Sequence, residues 1–552
     1  NLTKNCVTSA NNAINLVDAQ LPELSGHEAA FFPNVKSAAR IWRVYLMTEF
    51  VDSFGSFTTD FEANTPVYQS VEDCYKFMFQ ELSEAIADMT DEAASSDMEK
   101  NGDPAYQFDP IKWKNFGISM WMRIAMRLSE VDEATAKAEF AKAAAAGTGI
   151  ITTDGTFRIK ESTGWDDLSG VMSRTWDWQE VSATFANLTT NFGGAKAEDV
   201  LKDADHRFYP ASPDVASVYG PYIKDASKYL GVKLVGNVFV NDNPEKDGEE
   251  TEVVNLYEEY TDNPTNGYFF DGIPSYIDPR ALAYFTLPGD YDNRKETGYT
   301  NFPSSKNLLK TVEAGKIIVP LCNSYYSTKG ADGKPVYHFA DDYMIDATFA
   351  WNGLQCGFGY DEKASFNGLI NGDPMYNSSA YGITYAPLQE RYRNGSEYRV
   401  FFGPWETYFL MAEAAVRGWI SADAEAAYNN GIKASFDYLG MSSLADAYIN
   451  SENYNRVGTS VKFSHTTEPA NYEIEFYDPV AKAMKTTTYE YPVASKTLYG
   501  KALNDKLTKI ITQKYIANTP WLPLETWSDH RRLGLPFWEI PVSSTEYSFL
   551  DG

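Results

Sequence analysis

The sequence is poor in cysteine and histidine, and the few that it has are scattered. None of the four cysteines forms a C-x-x-C pair, which argues against a zinc knuckle and against a thioredoxin-type redox site. The cysteines are Cys6, Cys74, Cys322 and Cys356. A disulfide between the last two stays open, and free buried thiols are the favoured interpretation. The five histidines stand singly, so no histidine cluster predicts a metal site or a general base.

Short catalytic motifs are missing as well. The chain has no G-x-S-x-G elbow, no H-E-x-x-H, no P-loop and no G-x-G-x-x-G. Glycoside hydrolysis needs two carboxylates about 5–10 Å apart, and no motif among the 76 acidic residues selects such a pair. Asn243–Gly248 has the spacing of half an EF-hand, but Val254 stands where that loop needs a glutamate. We therefore expect no enzymatic activity, no metal site and no cofactor.

Basic residues and long apolar runs are also scarce. The chain has 47 lysines and arginines against 76 acidic residues, a net charge of −29. A surface without a basic footprint argues against nucleic acid and against an anionic membrane surface as partners. No apolar run reaches the roughly 18 residues that a spanning helix needs. Uncharged or weakly charged ligands fit this balance best.

The most regular stretch is Trp405–Gly440, which predicts two antiparallel helices joined by a short turn. Apolar residues recur at helical spacing in both halves, and Gly418 interrupts them. Small residues stand where the two helices approach each other, as in a tetratricopeptide-type hairpin. One hairpin cannot bury its apolar face alone, so further helical pairs are expected elsewhere. We assign Trp405 and Trp419 to packing within this scaffold.

Helical patterns occupy both ends of the chain, which we treat as one unit spanning 1–552. They predict a scaffold of helical hairpins at 33–147, 405–440 and 498–530, beginning with a helix from Pro33 to Phe50. Between them, 150–398 is rich in Gly, Pro, Asn, Asp and aromatic residues, and we predict a loop-rich ligand-binding layer there. Residues 442–492 predict an irregular insertion that contains a β-hairpin.

Three stretches of the loop-rich layer combine tryptophan or tyrosine with side-chain amides. Sugar rings stack their C–H faces on aromatic rings, and their hydroxyls need planar hydrogen-bonding groups, so such stretches are candidate glycan sites. The candidates are Trp176, Trp178 and Asn187 in the first stretch, Asn266, Tyr268 and Tyr276 in the second, and Trp351, Asn352 and Tyr360 in the third. Any single ring could equally serve to pack the loops onto the scaffold.

Four longer stretches resemble one known family. They are Phe108–Asp132, with an arginine-spaced helix ending RIAMRLS, Ile277–Phe285 with its DPR step, the hairpin Trp405–Gly440, and Ile511–Pro536 with QKYIA and DHRRLGLP. Their order and spacing resemble the SusD/RagB family of nutrient-binding outer-membrane lipoproteins, in its SusD-like subgroup. The resemblance covers most of the chain.

The resemblance implies a fold, a ligand and a location. The fold would be mainly α, with tetratricopeptide-like hairpins forming a right-handed superhelical scaffold under a loop-rich aromatic layer with a few short β-strands. The protein would bind oligosaccharides and pass them to a SusC-like TonB-dependent transporter, and the loop after Phe54 could contribute to the site. It would be held on the cell surface by a lipid on an N-terminal cysteine. Cys6 does not follow a small-residue lipobox, so that cysteine is expected upstream.

Rival interpretations remain. A peptide-binding member of the family would offer strand edges or a deep channel, a glycosidase would need a carboxylate pair in a cleft, and a bare repeat scaffold would expose a large apolar face.

Arg531 and Arg532, near Glu525, Trp527 and Asp529, could bind an anion. We interpret them as a structural ion-pair cluster, because their acidic partners lie within two helical turns. Arg123 and Arg127 are expected to need carboxylates from other helices.

Overall fold

The structure is a computed structural model. It describes residues 7–63, 65–162, 181–196, 276–285, 388–393, 395, 397–478, 483–489, 491 and 493–538, and short strands at 233–235, 238–241, 252–255, 269–271, 317–318, 325–329, 335–339 and 343–344.

Most of the residues in the described helices and strands are helical, as predicted. The helices are α1 (Thr8–Gln20), α2 (Gly26–Phe54), α3 (Val71–Asp88), α4 (Asp97–Asn101), α5 (Pro110–Arg127), α6 (Glu133–Ala146), α7 (Ala183–Thr189), α8 (Pro279–Tyr284), α9 (Glu390–Arg393), α10 (Pro404–Val416), α11 (Ala424–Tyr438), α12 (Ala445–Ile449), α13 (Lys506–Asn518) and α14 (Pro523–Leu533). None of the described helices is long and apolar enough to cross a membrane.

The strands are short and pair two by two. They are β1 (Phe57–Thr58), β2 (Tyr68–Gln69), β3 (Phe157–Lys160), β4 (Lys233–Val235), β5 (Val238–Asn241), β6 (Glu252–Asn255), β7 (Phe269–Asp271), β8 (Ile317–Ile318), β9 (Tyr325–Lys329), β10 (Pro335–Phe339), β11 (Tyr343–Met344), β12 (Tyr398–Phe402), β13 (Tyr472–Asp478) and β14 (Ala483–Tyr489). Strand β11 pairs parallel with β8, and the other pairs are antiparallel: β1 with β2, β3 with β12, β4 with β7, β5 with β6, β9 with β10, and β13 with β14.

The chain forms two compact units, each assembled from separate segments. Unit 1 consists of 1–161, 398–442 and 510–536, and unit 2 of 162–397, 443–509 and 537–552. Unit 1 holds the long helices and unit 2 most of the short strands. The predicted 498–530 scaffold segment is therefore divided, because residues up to Lys509 belong to unit 2.

The predicted hairpin at 405–440 is confirmed as α10 and α11. The Asp423 carboxylate accepts from the backbone N–H groups of Glu425 and Ala426, which begins α11. Trp405 and Trp419 are both buried, and their indole N–H groups donate to Asn518 Oδ1 (2.8 Å) and Glu133 Oε1 (3.1 Å). Both rings therefore serve packing, as expected.

Helix α2 begins earlier than the sequence predicts. Its first residue is Gly26, and Pro33, the predicted start, lies inside the helix. Proline removes one helical hydrogen bond, yet the helix continues because tertiary contacts hold the turns around it. Buried Asn34 donates to the backbone oxygen of Glu92 (2.7 Å) and accepts from the N–H of Thr90 (2.8 Å).

Aromatic rings fill the core of unit 1 between α5 and β3. Phe116 and Phe157 stack with ring centroids 4.1 Å apart and nearly parallel planes. Trp113 meets both rings edge-on at 5.8 Å and 5.3 Å. Such ring pairs add roughly 0.5–1.5 kcal/mol each beyond the burial of their surface. Phe157 lies on β3, and β3 pairs antiparallel with β12 from later in the chain. The strand pair therefore ties that later segment to the first helical pairs.

A buried network of charges links five helices of unit 1. Its members are Asp52, Arg123, Arg127, Glu406, Glu413, Lys514, Glu525, Asp529 and Arg532. We call it the ion network. Its arginines find carboxylates on other helices, so the predicted ion-pair role of Arg532, Arg123 and Arg127 is confirmed.

Each arginine of the ion network meets at least one carboxylate from another helix. Arg123 makes two hydrogen bonds to Glu406, at 2.7 Å and 2.8 Å. Arg127 donates to Glu525 at 2.6 Å, and Arg532 Nη2 donates to Glu413 Oε2 at 2.9 Å. Paired geometry of this kind is what lets charges lie buried, because an unpaired charge would cost several kcal/mol.

In unit 2 the β-hairpin predicted in the insertion is confirmed as β13 and β14, with Tyr472 paired to Tyr489. The helix predicted from Leu498 is wrong at its start, since α13 begins at Lys506. The backbone N–H groups of Leu503 and Asn504 donate to the Glu468 carboxylate, at 3.1 Å and 3.0 Å. A distant glutamate therefore holds this segment outside the helix.

Candidate ligand-binding site

Most of the predicted glycan-binding residues lie outside the described part of the chain. These are Trp176, Trp178, Asn266, Tyr268, Trp351, Asn352 and Tyr360. Asn187 and Tyr276 are described, and they show how unit 2 anchors the first two predicted stretches. The turn at 243–248, which has the spacing of half an EF-hand, also lies outside the described residues, and no described group of three or more acidic, histidine or cysteine residues could hold a metal ion.

The first and second predicted stretches are brought together by backbone hydrogen bonds. The N–H of Asn191 donates to the carbonyl of Tyr276 (2.8 Å), and the N–H of Asp278 donates to the carbonyl of Thr189 (3.0 Å). Two isolated bridges, Thr190 with Ile277 and Lys196 with Tyr276, extend this contact. The ends of two loops that are about 80 residues apart in the sequence therefore meet at one place.

Asn187 belongs to the framework of this place rather than to its surface. It lies on α7, which begins where the Ser182 hydroxyl accepts from the N–H of Phe185 (3.1 Å). Asn187 is 3% exposed, and its backbone carbonyl accepts from the N–H of Arg456 (3.3 Å). Its side-chain oxygen has no hydrogen-bond partner within the described residues. That burial does not fit an exposed sugar contact, whereas half-buried Tyr276 keeps part of its ring at the surface.

A buried ion pair fixes the backbone that follows Tyr276. Arg280 donates to both oxygens of Asp278, at 3.0 Å and 2.7 Å, and both residues are fully buried. The hydroxyl of Tyr448, on α12, donates to Asp278 at 2.5 Å. Burial lowers the pKa of Arg280, but Asp278 and Tyr448 raise it above its usual value, so the guanidinium remains charged. The segment Asp278-Pro279-Arg280 thus anchors the backbone after Tyr276, a role that the sequence did not reveal.

Gly193 allows the chain after α7 to pass against Tyr448. It has a φ of +87°, and a Cβ there would lie 2.1 Å from Cδ2 of Tyr448. Only glycine fits such a position, because both the backbone angle and the space exclude a side chain. Phe192 meets the same ring edge-on at 5.9 Å.

Aromatic residues form the other side of this framework. The ring of Phe185 on α7 lies 5.1 Å from that of Phe285 and 6.3 Å from that of Tyr284 on α8. Tyr284 also contacts Tyr392 on α9 at 6.2 Å, and burial raises the pKa of the Tyr284 hydroxyl. The described framework is thus a rigid base of buried rings and one ion pair, from which the predicted loops depart.

Comparison with sequence families gives one match. The SusD-like family, described as Susd and RagB outer membrane lipoprotein, matches residues 5–211 and 349–547, which is more than half of the chain. No curated protein matches the chain.

Solved structures resemble the chain over almost its whole length. A SusD homologue from Parabacteroides distasonis is 22% identical, with 96% of this chain and 73% of that chain covered and a TM-score of 0.55. A SusD homologue from Bacteroides vulgatus is 19% identical, covering 94% and 71%, with a TM-score of 0.46. A chitin-binding SusD homologue from Flavobacterium johnsoniae is 19% identical, covering 96% and 72%, with a TM-score of 0.43. The first of these supports the same fold.

Proposed function

We propose, because this chain belongs to the SusD-like family of outer-membrane lipoproteins, that it binds oligosaccharides without cleaving them and delivers them to a SusC-like TonB-dependent transporter. The observation that carries the proposal is the family match over residues 5–211 and 349–547. These ranges contain Trp176, Trp178 and Trp351. We further propose that the protein is held at the cell surface by a lipid anchor.

Binding would rest on stacking and on polar contacts from loops. One or two aromatic faces would take the C–H faces of the sugar, and Asn266 and Asn352 would exchange hydrogen bonds with its hydroxyls. Each such bond replaces a bond to water, so its net gain is only about 0.5–1.5 kcal/mol. We therefore expect modest affinity for a single oligosaccharide and stronger retention of a polymer that offers many binding units.

The framework of unit 2 supports this arrangement. Loops that bind by stacking lose affinity when they must be ordered on binding, and a rigid base reduces that cost. The Asp278–Arg280 pair and the backbone bonds at Asn191 and Tyr276 hold the ends of two candidate loops in place.

Affinity electrophoresis in gels that contain single polysaccharides tests the proposal. The panel should include neutral plant and host glycans and soluble chitin oligosaccharides as competitors. At least one glycan should retard the full chain, and a Trp176→Ala, Trp351→Ala double variant should lose most of that retardation. Trp527→Ala is a matched control, since it removes a tryptophan of unit 1 and should migrate like the parent protein.

The same experiment separates the rival functions. Release of new reducing ends from a retained glycan would identify an enzyme, and retention by immobilised peptides but by no glycan would identify a peptide-binding member. Co-purification with a TonB-dependent transporter of the same organism tests delivery. Absence of any glycan retention would overturn the proposal.

A further inference from the structure

We propose that Tyr454, Tyr472 and Tyr491 form a binding subsite for an uncharged pyranose unit of a glycan. We call these three residues the tyrosine cluster. The inference rests on the proposed glycan binding, but it uses residues in the 442–492 insertion, none of which the sequence analysis assigned to a ligand.

The three rings come from separate parts of unit 2 and meet at Tyr491, edge-on with Tyr454 and at a tilt with Tyr472. Tyr454 follows α12, Tyr472 begins β13, and Tyr491 follows β14. The ring centroids of Tyr454 and Tyr491 are 6.2 Å apart, and those of Tyr472 and Tyr491 are 6.0 Å apart. Tyr472 pairs with Tyr489, and Tyr491 lies two residues beyond that pair. His465 extends the row, with its ring 5.4 Å from that of Tyr454.

The tyrosine cluster is held in place before any ligand binds. The hydroxyl of Tyr454 donates to the carbonyl of Thr467 (2.9 Å), and the N–H of Tyr491 donates to Asn471 Oδ1 (2.9 Å). Gly458, with a φ of +95°, lets the Tyr491 ring lie against the backbone, because a Cβ there would be 3.2 Å from Cδ1 of Tyr491. Fixed rings lose little conformational freedom on binding, which favours a weak ligand such as a sugar.

These rings do not simply fill a core. Tyr472 remains 40% exposed, while Tyr454 and Tyr491 are half-buried. The exposed ring of Tyr472, supported by two half-buried rings, offers an apolar face of the kind that suits the C–H face of a pyranose. Burial raises the pKa of the Tyr491 hydroxyl, and the neighbouring Tyr472 raises it further, so the Tyr491 hydroxyl stays protonated at neutral pH.

The charges around the tyrosine cluster select a neutral sugar. Glu452 and Glu468 lie close enough to raise the pKa of Tyr454, after the effect of its burial. The nearby Lys462 is already paired with Glu452 at 2.5 Å. A uronate or a sulfated sugar would therefore meet negative charge, and repulsion would disfavour it.

The test compares variants of the full chain on a neutral polysaccharide that retards the parent protein. Tyr472→Ala and Tyr454→Ala should each weaken binding about three- to tenfold, the value of one lost stacking contact. Both should keep the parent melting temperature within a few degrees, since Tyr472 is exposed and Tyr454 only half-buried. Tyr499→Ala is the matched control, because Tyr499 is 62% exposed and lies in the same unit, in the segment between β14 and α13.

A second comparison distinguishes this inference from the proposed function. In the Trp176→Ala, Trp351→Ala background, residual retardation should disappear when Tyr472→Ala is added. If Tyr472→Ala and Tyr454→Ala both bind like the parent while the tryptophan variant loses all binding, the tyrosine subsite is overturned and the proposed function stands. If the parent binds no glycan, both are overturned. If Tyr472→Ala weakens only the binding of a uronate-containing polymer, the assignment to a neutral sugar is overturned.

Discussion

The two units solve the same problem, the burial of polar groups, in different ways. Unit 1 satisfies most of its backbone within long helices, and it buries the paired charges of the ion network between them. In unit 2, side-chain amides take over the backbone groups of irregular segments. Asn455 Oδ1 accepts from the N–H groups of Val457 (3.1 Å) and Thr459 (2.9 Å), and its amide donates to the carbonyl of Leu188 (3.0 Å). Where the backbone is not hydrogen-bonded within a helix, side-chain amides bond to its buried N–H and C=O groups. Without such partners these buried groups would cost free energy.

This difference suits different tasks. Charges that pair across helices fix the register of a scaffold, since each pair has one geometry. Amides that hold irregular segments allow aromatic side chains to emerge from loops, as the tyrosine cluster does. We therefore expect substitutions in unit 1 to act on stability, and substitutions of exposed rings in unit 2 to act on binding.

The largest expected effect is the loss of an arginine from the ion network. Arg123→Ala leaves the buried Glu406 without its two-hydrogen-bond partner and Glu525 with Arg127 as its remaining arginine, which should lower the free energy of unfolding by about 3–5 kcal/mol. Urea unfolding, followed by circular dichroism, measures it. Lys76→Ala is the control, since Lys76 pairs with Glu72 in an exposed i,i+4 arrangement and its loss should leave the free energy of unfolding nearly unchanged. A loss below about 1 kcal/mol for Arg123→Ala would mean that the ion network does not set the stability of unit 1.

A second substitution tests unit 2 in the same way. Gly193→Ala would place its methyl group in the ring of Tyr448. Gly418→Ala in unit 1 is the matched control. Gly418 has a similar φ of +71°, and no atom lies within 4 Å of the place that a methyl group would take. Both variants bear the backbone strain of about 1 kcal/mol, and Gly193→Ala should lose about 1–3 kcal/mol more through overpacking. Limited proteolysis at rising urea can follow the two units separately. Equal losses for the two variants would show that the Tyr448 contact is not rigid.

The regular part of the fold could be predicted from the sequence, because its signals are local. The hairpin of α10 and α11 shows its helical spacing, its Asp423 cap and its turn within a single stretch. The errors arise where distant residues decide. Pro33 lies inside α2 because Asn34 binds Thr90 and Glu92, and α13 begins late because Glu468 holds the segment before it. No local pattern reports such contacts.

The candidate sites were predictable only in their residue types. An asparagine beside aromatic residues could lie at the surface or, as Asn187 does, inside the framework, since exposure depends on which other segments cover it. The tyrosine cluster was missed for a related reason. Tyr472 and Tyr491 flank the predicted hairpin, which is a usable signal, but Tyr454 joins them only through the fold.

A smaller effect is expected at Trp527, which lies on α14. The structure shows it half-buried, with the Arg531 guanidinium 3.8 Å from its ring centroid. Trp527→Ala should therefore cost about 1–2 kcal/mol, from lost cation–π contact and partial burial. Trp405→Ala, which empties a buried site, should cost about 3–5 kcal/mol. Differential scanning calorimetry of both variants checks the order, and a larger loss for Trp527→Ala would contradict it.

The smallest effect concerns the pH dependence of unit 1. Burial raises the pKa of Glu49 to about 7, and the nearby Glu525 carboxylate adds to the shift. An unfolded glutamate titrates near about 4.3, so between about pH 4.5 and 7 the folded state holds more protons. The contribution of Glu49 to the free energy of unfolding then falls as pH rises through this window.

Glu49→Gln removes that titration while keeping a neutral side chain of similar shape. Its stability relative to the parent protein should rise by about 1 kcal/mol from pH 5 to pH 8, after allowance for the partial exposure of Glu49. Urea titrations of both proteins at pH 5, 6, 7 and 8 measure the difference, and Glu72→Gln on the exposed face of α3 is the control. A constant difference across this range would show that Glu49 is ionised in the folded protein, so that the arginines of the ion network, rather than burial, decide its charge.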